Sequence, residues 1–153
     1  MRQITINSTT GNEIISVQDV KDFVRIDTSA DDSLISLMIE TARMFCENYI
    51  SRDIVPKNRT YYLDRTETGL IDLPFAPVAS ISEVLVTGSA ASYEILGLDT
   101  ETIELDGGAA EKVKITYVTS GLSNGLIKQA LFQSVTTYPD NIANFVQRQN
   151  INF

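Results

Sequence analysis

The chain has 153 residues, of which 43% are hydrophobic and 21% charged, the balance of a folded protein of one-domain length. Twenty acidic residues against twelve basic ones leave a net charge of -8 and a pI near 4.4, which argues against a protein that grips nucleic acid through clustered Lys and Arg. There is no histidine and only one cysteine, Cys46, so imidazole-based acid–base pairs, zinc or haem sites that need imidazole, and an internal disulfide are excluded.

The first residues, Met1-Arg2-Gln3-Ile4-Thr5-Ile6, lack the apolar core of a secretory signal, and no apolar run approaches the roughly 20 residues that span a bilayer. The sequence therefore predicts no membrane segment and a cytoplasmic site of synthesis. Ser16 with Asp19 three residues on forms a capping box, and Val17, Val20, Phe23 and Val24 follow as one apolar stripe. After a turn at Ile26-Asp27, Thr28 or Ser29 can cap a second helix. Asp31 and Asp32 there place negative charge at the positive end of the helix dipole. This helix is expected to run to about Ile50. Its apolar face is read as Leu34, Met38, Ala42, Phe45 and Tyr49, widened by Ile35, Ile39 and Cys46, an arc broad enough to be covered on two sides.

Val55-Pro56 ends the helical region, because the residue before proline is pushed into an extended conformation. Strands are predicted at Thr60 to Asp64 and Leu70 to Leu73. The segment Leu73-Pro74-Phe75-Ala76-Pro77-Val78 reads as an edge or connector, since proline cannot donate to a central ladder. Further strands are predicted at Ile81 to Thr87, Tyr93 to Leu96, and Ile103 to Leu105. Asp106-Gly107 reads as a hairpin turn into the strand Lys112 to Val118, where Val113, Ile115 and Tyr117 alternate with Lys112, Lys114 and Thr116. Gly121 and Gly125 bracket a break. A closing helix then carries Leu126, Ile127, Ala130, Leu131, Ser134, Val135 and Tyr138 up to Pro139.

The expected fold class is α+β, with an N-terminal helix pair, a central antiparallel β-hairpin region and a closing C-terminal helix. One domain is expected over residues 1–139. Residues 140–153 form a tail rich in Asn and Gln that also carries Phe145, Val146, Ile151 and Phe153, large apolar groups suited to docking on a partner. Carboxylates are the only plentiful reactive groups. Asp31-Asp32, Asp64 with Glu67, and Asp99 with Glu101 could be proposed as metal or acid–base pairs, but none is specific: Asp31-Asp32 is better explained as first-turn charge, Asp64 as strand-end turn chemistry and Asp106 as the Asp of Asp-Gly. Cys46 is read as a small core hydrophobe. No G-x-G-x-x-G or phosphate-cradling Gly-Lys-Ser/Thr loop occurs. No enzyme activity, metal or cofactor is expected.

The order of these pieces resembles the bacteriophage head–tail connector family, also called head-completion or adaptor proteins. The resemblance is carried by Ser16-Val-Gln-Asp-Val-Lys-Asp-Phe-Val-Arg-Ile-Asp27, the following Asp31-Asp32-Ser-Leu-Ile35, and the helix end Glu47-Asn-Tyr-Ile-Ser-Arg52. It continues in Tyr61-Tyr62-Leu63-Asp64, Leu73-Pro-Phe-Ala-Pro-Val78 with Ile81, and Val113-Lys-Ile-Thr-Tyr117 with Gly121 before a helix starting near Leu126. The chain departs from the pattern at Tyr138-Pro139-Asp140-Asn141 and in its amide-rich tail. The resemblance implies a structural virion protein at the head–tail junction, made in the host cytoplasm. Its copies would form a ring beneath the portal, extend the DNA conduit, and offer a docking surface to tail or stopper proteins, while DNA passes without specific binding.

A ring requires two different surfaces on each subunit that fit each other head to tail and close on themselves. The face of the second helix and the edges around Pro74 and Pro77 are the candidates. The acids Asp99, Glu101 and Glu104 are expected to face the conduit, where like charge keeps DNA from sticking. Phe145, Val146, Ile151 and Phe153 are expected to dock on the portal or a neighbouring subunit. A small acidic protein that mimics the charge of DNA is the alternative reading. A carboxylate-dependent Mg²⁺ nuclease or hydrolase is a third, weaker one.

Overall fold

The computed structural model describes residues 1–136, and these are α+β with antiparallel sheets. In chain order the elements are β1 (Arg2–Thr9), α1 (Val17–Val24), α2 (Asp32–Ile50), β2 (Lys57–Thr66), β3 (Leu70–Asp72) and β4 (Val78–Val86). They continue with β5 (Ser89–Ala90), β6 (Tyr93–Leu96), β7 (Thr102–Leu105), β8 (Ala110–Thr119) and α3, helical from 125 to 136. Two compact units result. One joins Met1–Asn12 to Ser51–Leu122; the other comprises Glu13–Ile50 and the chain from Ser123 on. Among the described residues no helix is long and apolar enough to cross a membrane.

The first unit is a five-stranded sheet, β1-β2-β8-β4-β5, and a three-stranded sheet, β3-β7-β6. Both contribute to one core that includes Tyr61, Leu63, Ile71, Val84, Ile103, Leu105, Val113, Ile115 and Tyr117. Strand β8 supplies the centre of it: Val113, Ile115 and Tyr117 are wholly buried, as their alternation predicts. Each such side chain contributes roughly 1.5–3 kcal/mol by leaving water. Tyr117 keeps a partner for its hydroxyl, which donates to the Pro74 carbonyl at 2.6 Å, and burial pushes its pKa above the usual phenol value.

Two expectations are corrected here. The helix pair does not open the fold, because β1 precedes it and pairs antiparallel with β2 from Arg2↔Leu63 to Thr9↔Lys57. Only Ile4 and Ile6 mark this strand in sequence, and Ile6 is exposed, so its apolar signal is weak and its pairing depends on β2. Nor does Asp106-Gly107 make a hairpin. The turn is present, with the Gly108 amide donating to the Leu105 carbonyl at 3.0 Å, but β7 pairs with β3 and β6 while β8 pairs with β2 and β4. The turn carries the chain from one sheet to the other. At Gly121 a left-handed φ of +74° is needed and a Cβ would lie 2.7 Å from the Ile54 carbonyl oxygen, so glycine is required where the chain leaves the β unit.

In the second unit the capping box at α1 forms as predicted. The Asp19 amide donates to Ser16 Oγ at 3.0 Å and the Ser16 amide to Asp19 Oδ2 at 2.8 Å, which holds the Asp19 carboxyl below the usual range. Of the expected stripe, Val20 is buried, while Phe23 stacks on Phe132 of α3 with ring centroids 5.5 Å apart. Helix α2 begins at Asp32, after the predicted caps, with the Asp31 carbonyl accepting from the Ile35 amide at 2.9 Å. Asn124 caps α3 through a side-chain bond from the Ile127 amide at 2.9 Å. Leu131 and Val135 are the buried residues of α3, whereas Leu126, expected on the apolar face, is 83% exposed.

Candidate functional site

Four surfaces were singled out by sequence, and three of them fall within the described residues. The first is α2. Its buried residues are Ile35, Met38, Ile39, Ala42, Arg43 and Glu47, so Ile35 and Ile39 of the widened face are covered as expected while the covered face as a whole is rotated away from the central predicted line. Of Leu34, Met38, Ala42, Phe45 and Tyr49, only Met38 and Ala42 are buried; Phe45 is 65% and Tyr49 84% exposed.

The rotation has a physical cause, because the covered face contains an ion cluster that periodicity assigns to solvent. Arg43 Nε reaches Glu13 at 2.8 and 2.9 Å and Arg43 Nη1 reaches Glu47 Oε2 at 2.8 Å. Burial works against the Arg43 charge, but hydrogen bonds and the nearby carboxylates of Glu13 and Glu47 outweigh it and raise its pKa. With polar residues satisfied inside, the apolar surplus of Leu34, Leu37, Met44, Phe45, Tyr49 and Ile50 is left outside. Cys46 is half-buried and its Sγ lies 3.9 Å from Ser134 Oγ.

The second surface is the proline-marked segment. It is a connector, as expected, and half-buried rather than a free edge. Its carbonyls are taken up from within the β unit: Pro74 by Tyr117, Ala76 by Arg52 Nη1 at 3.0 Å, and Pro77 by the Ser120 amide at 2.9 Å. The Arg59 guanidinium lies over the Phe75 ring at 3.9 Å, a cation–π contact strengthened by burial.

Behind that contact sits a charge cluster that sequence reading missed. Asp53 is wholly buried and accepts from Arg59 Nε at 2.8 Å and Nη2 at 2.6 Å, a bidentate fork. It also accepts from Thr119 Oγ1 at 2.8 Å, and Lys57 Nζ lies 3.4 Å away. Burial alone would raise the Asp53 pKa, but the bonds from Arg59 and Thr119 and the two cations prevail and lower it. Asp53-x-x-x-Lys57-x-Arg59 just after a helix was the available signal. The cluster ties the chain leaving α2 to β2 and β8, and it is a structural clamp.

The third surface carries the acids. Asp99 lies in the β6–β7 turn, its carboxylate 3.8 Å from Arg52 Nη1, and its amide donates to Glu101 Oε2 at 2.8 Å. Glu101 therefore shapes the turn. Glu104 is exposed on β7, opposite Glu94 on one side and Leu70 on the other. Asp72, opposite Thr102 and bonded to its hydroxyl at 2.8 Å, shares that face. Like charges facing each other across a ladder oppose pairing, so the Glu94–Glu104 pair works against local stability. From Thr66 to Glu111 the sequence has nine acidic residues and no Lys or Arg; that signal adds Asp72 and Glu94 to the three acids named from sequence.

Asp32 pairs with Lys21 at 2.9 Å, and Asp64 with the N-terminal amine at 2.9 Å. Among the described residues no three Asp, Glu or Cys side chains are grouped so as to hold a metal ion. Phe145, Val146, Ile151 and Phe153 lie outside the described residues.

No curated protein matches the chain in sequence. Among solved structures it is similar to a chain of "Neck of empty GTA particle computed with C6 symmetry", with 18% identity and a TM-score of 0.75, covering 90% of this chain and 84% of that one. It is also similar to chains of the neck of the native GTA particle computed with C12 symmetry and of the virion of the native gene transfer agent particle. For these the identities are 16% and 17%, the TM-scores 0.71 and 0.69, the coverage 90% of this chain in each case, and 83% and 84% of the other chain. At such identities the likeness is one of fold. The family model for head completion proteins matches residues 13–142, and on that match, over most of its length, this chain belongs to the head completion protein family.

Proposed function

We propose that this chain is a structural head–tail connector whose copies form a ring in the virion neck, beneath the portal, where it lengthens the DNA conduit and offers a docking surface to tail or stopper proteins. The observation that carries the reading is the head-completion match over residues 13–142; likeness to chains of neck structures computed with C6 and C12 symmetry supports the ring. The family is structural, not enzymatic, in kind. Residues 1–139 act as one connector domain and 140–153 as a docking tail. The protein is made in the host cytoplasm and ends in the virion.

Acidic residues repeated around a lumen repel a polyanion weakly along its path. Asp99, Glu101 and Glu104 are the acids we assign to that wall, with Glu94 and Asp72 beside Glu104. Reversing Asp99, Glu101 and Glu104 to Lys is expected to slow DNA release, and unchanged ejection kinetics would refute the assignment. Deleting Asn141 to Phe153 is expected to abolish attachment to particles through loss of Phe145, Val146, Ile151 and Phe153. Normal incorporation of the truncated protein would remove the tail from the docking surface.

The function itself is tested by adding purified protein to portal-bearing, DNA-filled capsids that lack their connector, then sedimenting them and imaging the vertex. Ring density under the portal is expected. Protein left in the supernatant, together with binding to a basic DNA-handling protein, would favour the DNA-mimic reading.

A further inference from the structure

We propose that Asn124-Gly125, at the start of α3, is a site of spontaneous covalent modification, where the Asn124 side-chain amide is lost as ammonia and the chain is left as a mixture of aspartyl and isoaspartyl forms. Water is the co-reactant. The inference stands apart from the ring reading above.

Asn124-Gly125 is the one Asn-Gly pair in the chain, every other asparagine being followed by a residue that carries a side chain. The chemistry favours that pairing. The Gly125 main-chain nitrogen gives up its proton and bonds to Asn124 Cγ, the bond from Cγ to the side-chain nitrogen breaks, and ammonia leaves behind a cyclic succinimide. Water then opens the ring. Cleavage between Cγ and the Gly125 nitrogen restores the main chain with aspartate at 124, while cleavage at the Asn124 main-chain carbonyl routes the chain through Cβ and Cγ as isoaspartate. A side chain on the following residue crowds the attacking nitrogen, and glycine has none.

The fold exposes this pair and has no steric need for glycine there. Both residues are exposed, and Gly125 is the first helical residue of α3, so its N–H is among the donors that find no partner inside the helix. Its φ lies outside the left-handed region, and a Cβ would meet nothing within 4 Å among the described residues. Glycine is a poor helix former, so Gly125 loosens the first turn. What guards Asn124 is its cap. Its Oδ1 accepts from the Ile127 amide at 2.9 Å and its carbonyl from the Lys128 amide at 3.1 Å. Attack requires the side chain to swing from the Ile127 amide toward the Gly125 nitrogen, so the reaction runs from an opened first turn. A side-chain cap favours the closed turn by only roughly fivefold, and helix ends open more readily than helix bodies. The cap therefore slows the reaction without stopping it.

The two products act on α3 in opposite ways. Aspartate keeps an acceptor at the cap and adds negative charge at the positive end of the helix. Isoaspartate lengthens the main chain, displaces the carboxylate, and loses the cap. Helix α3 buries Leu131 and Val135 and stacks Phe132 on Phe23 of α1, so its first turn bears on the packing of the helical unit. Free subunits thus age into two species, one with a reinforced α3 and one with a weakened α3.

The experiment holds purified full-length protein at mildly alkaline pH and follows intact mass, released ammonia, and the position of isoaspartate by peptide mapping. Amide loss centred on residue 124, with isoaspartate at the same position and ammonia matching the converted fraction, is expected. Gly125→Ala, which both crowds the nitrogen and firms the first turn, is expected to slow that loss several-fold. Amide retained at 124, conversion at other asparagines as fast as at 124, or an equal rate in Gly125→Ala would overturn the proposal. The separated isoaspartyl form is expected to unfold a few degrees below fresh protein, and Asn124→Asp no lower than the wild type. An isoaspartyl form as stable as fresh protein would overturn the effect on α3.

Discussion

The β unit and the helical unit each bury a charge cluster closed by short bonds, but they differ in which large apolar side chains they leave outside. In the β unit the core strands are filled with apolar side chains and the one buried charge cluster, Asp53 with Lys57, Arg59 and Thr119, is closed by short bonds. In the helical unit α2 buries Arg43 and Glu47 while Phe45, Tyr49 and Leu37 stand in water. The difference teaches that apolar content is a poor guide to what a segment contributes to its own unit. The β unit fills a core and leaves Ile6, Leu70, Ile95, Leu96 and Leu98 at its strand ends and edges, whereas the helical unit gathers Leu34, Leu37, Met44, Phe45, Tyr49 and Ile50 on one helix, α2.

The largest test of that contrast is Asp53→Ala. It leaves buried cations facing a void, and breaking a buried ion cluster by removing one partner costs about 3–5 kcal/mol, to be read from urea unfolding. A loss below about 1 kcal/mol would show that water replaces the carboxylate. The same group sets an acid limit. Its folded pKa is depressed, so its contribution is fully present above the unfolded carboxylate value of about 3.9 and is lost as pH falls through the lower folded value. Urea midpoints of the wild type are expected to fall on acidification below about pH 4, and Asp53→Asn is expected to flatten that limb.

Leu131→Ala is the matching test in the helical unit. Leu131 is wholly buried, and truncating such a leucine costs about 2–5 kcal/mol depending on how far the site collapses. A value near the bottom of that range would mean that the helices close on the void more readily than sheets do. Ser16→Ala is expected to cost about 1 kcal/mol by removing one half of the capping box. Thermal unfolding would show it as a shift of a few degrees, and no shift would mean that the first turn of α1 is held by its neighbours.

The same contrast explains how much could be read from sequence. Strand β8 was legible because Val113, Ile115 and Tyr117 alternate with polar residues and all three go to the core. The capping box was legible because Ser16 and Asp19 satisfy each other locally. The covered face of α2 was not, since nothing in the sequence says that Arg43 is neutralised by Glu13, thirty residues away. The Asp106-Gly107 turn was correctly placed, but a turn is local and the choice of β2 and β4 as partners for β8 is not. Strand β1 escaped notice because two isoleucines among polar residues give little alternation. The clamp at Asp53 was hidden for the reason that hid Arg43, namely that charges are assigned to solvent until a partner is known. The acid-only stretch from Thr66 to Glu111 was fully legible and needed only counting.

The smallest expected effect on stability separates the two units most sharply. Phe45→Ser and Tyr49→Ser remove large apolar side chains, and in a core each would cost several kcal/mol. Both residues are mostly exposed on α2, so the free protein is expected to change by no more than about 0.5 kcal/mol. The double variant should unfold at nearly the wild-type urea concentration. If these residues serve assembly, the same variant is expected to lose incorporation into particles, measured by co-sedimentation, at unchanged stability. A large stability loss in the free protein would mean that Phe45 and Tyr49 support their own chain. Unchanged stability with unchanged incorporation would move the assembly surface of this unit away from the outer face of α2.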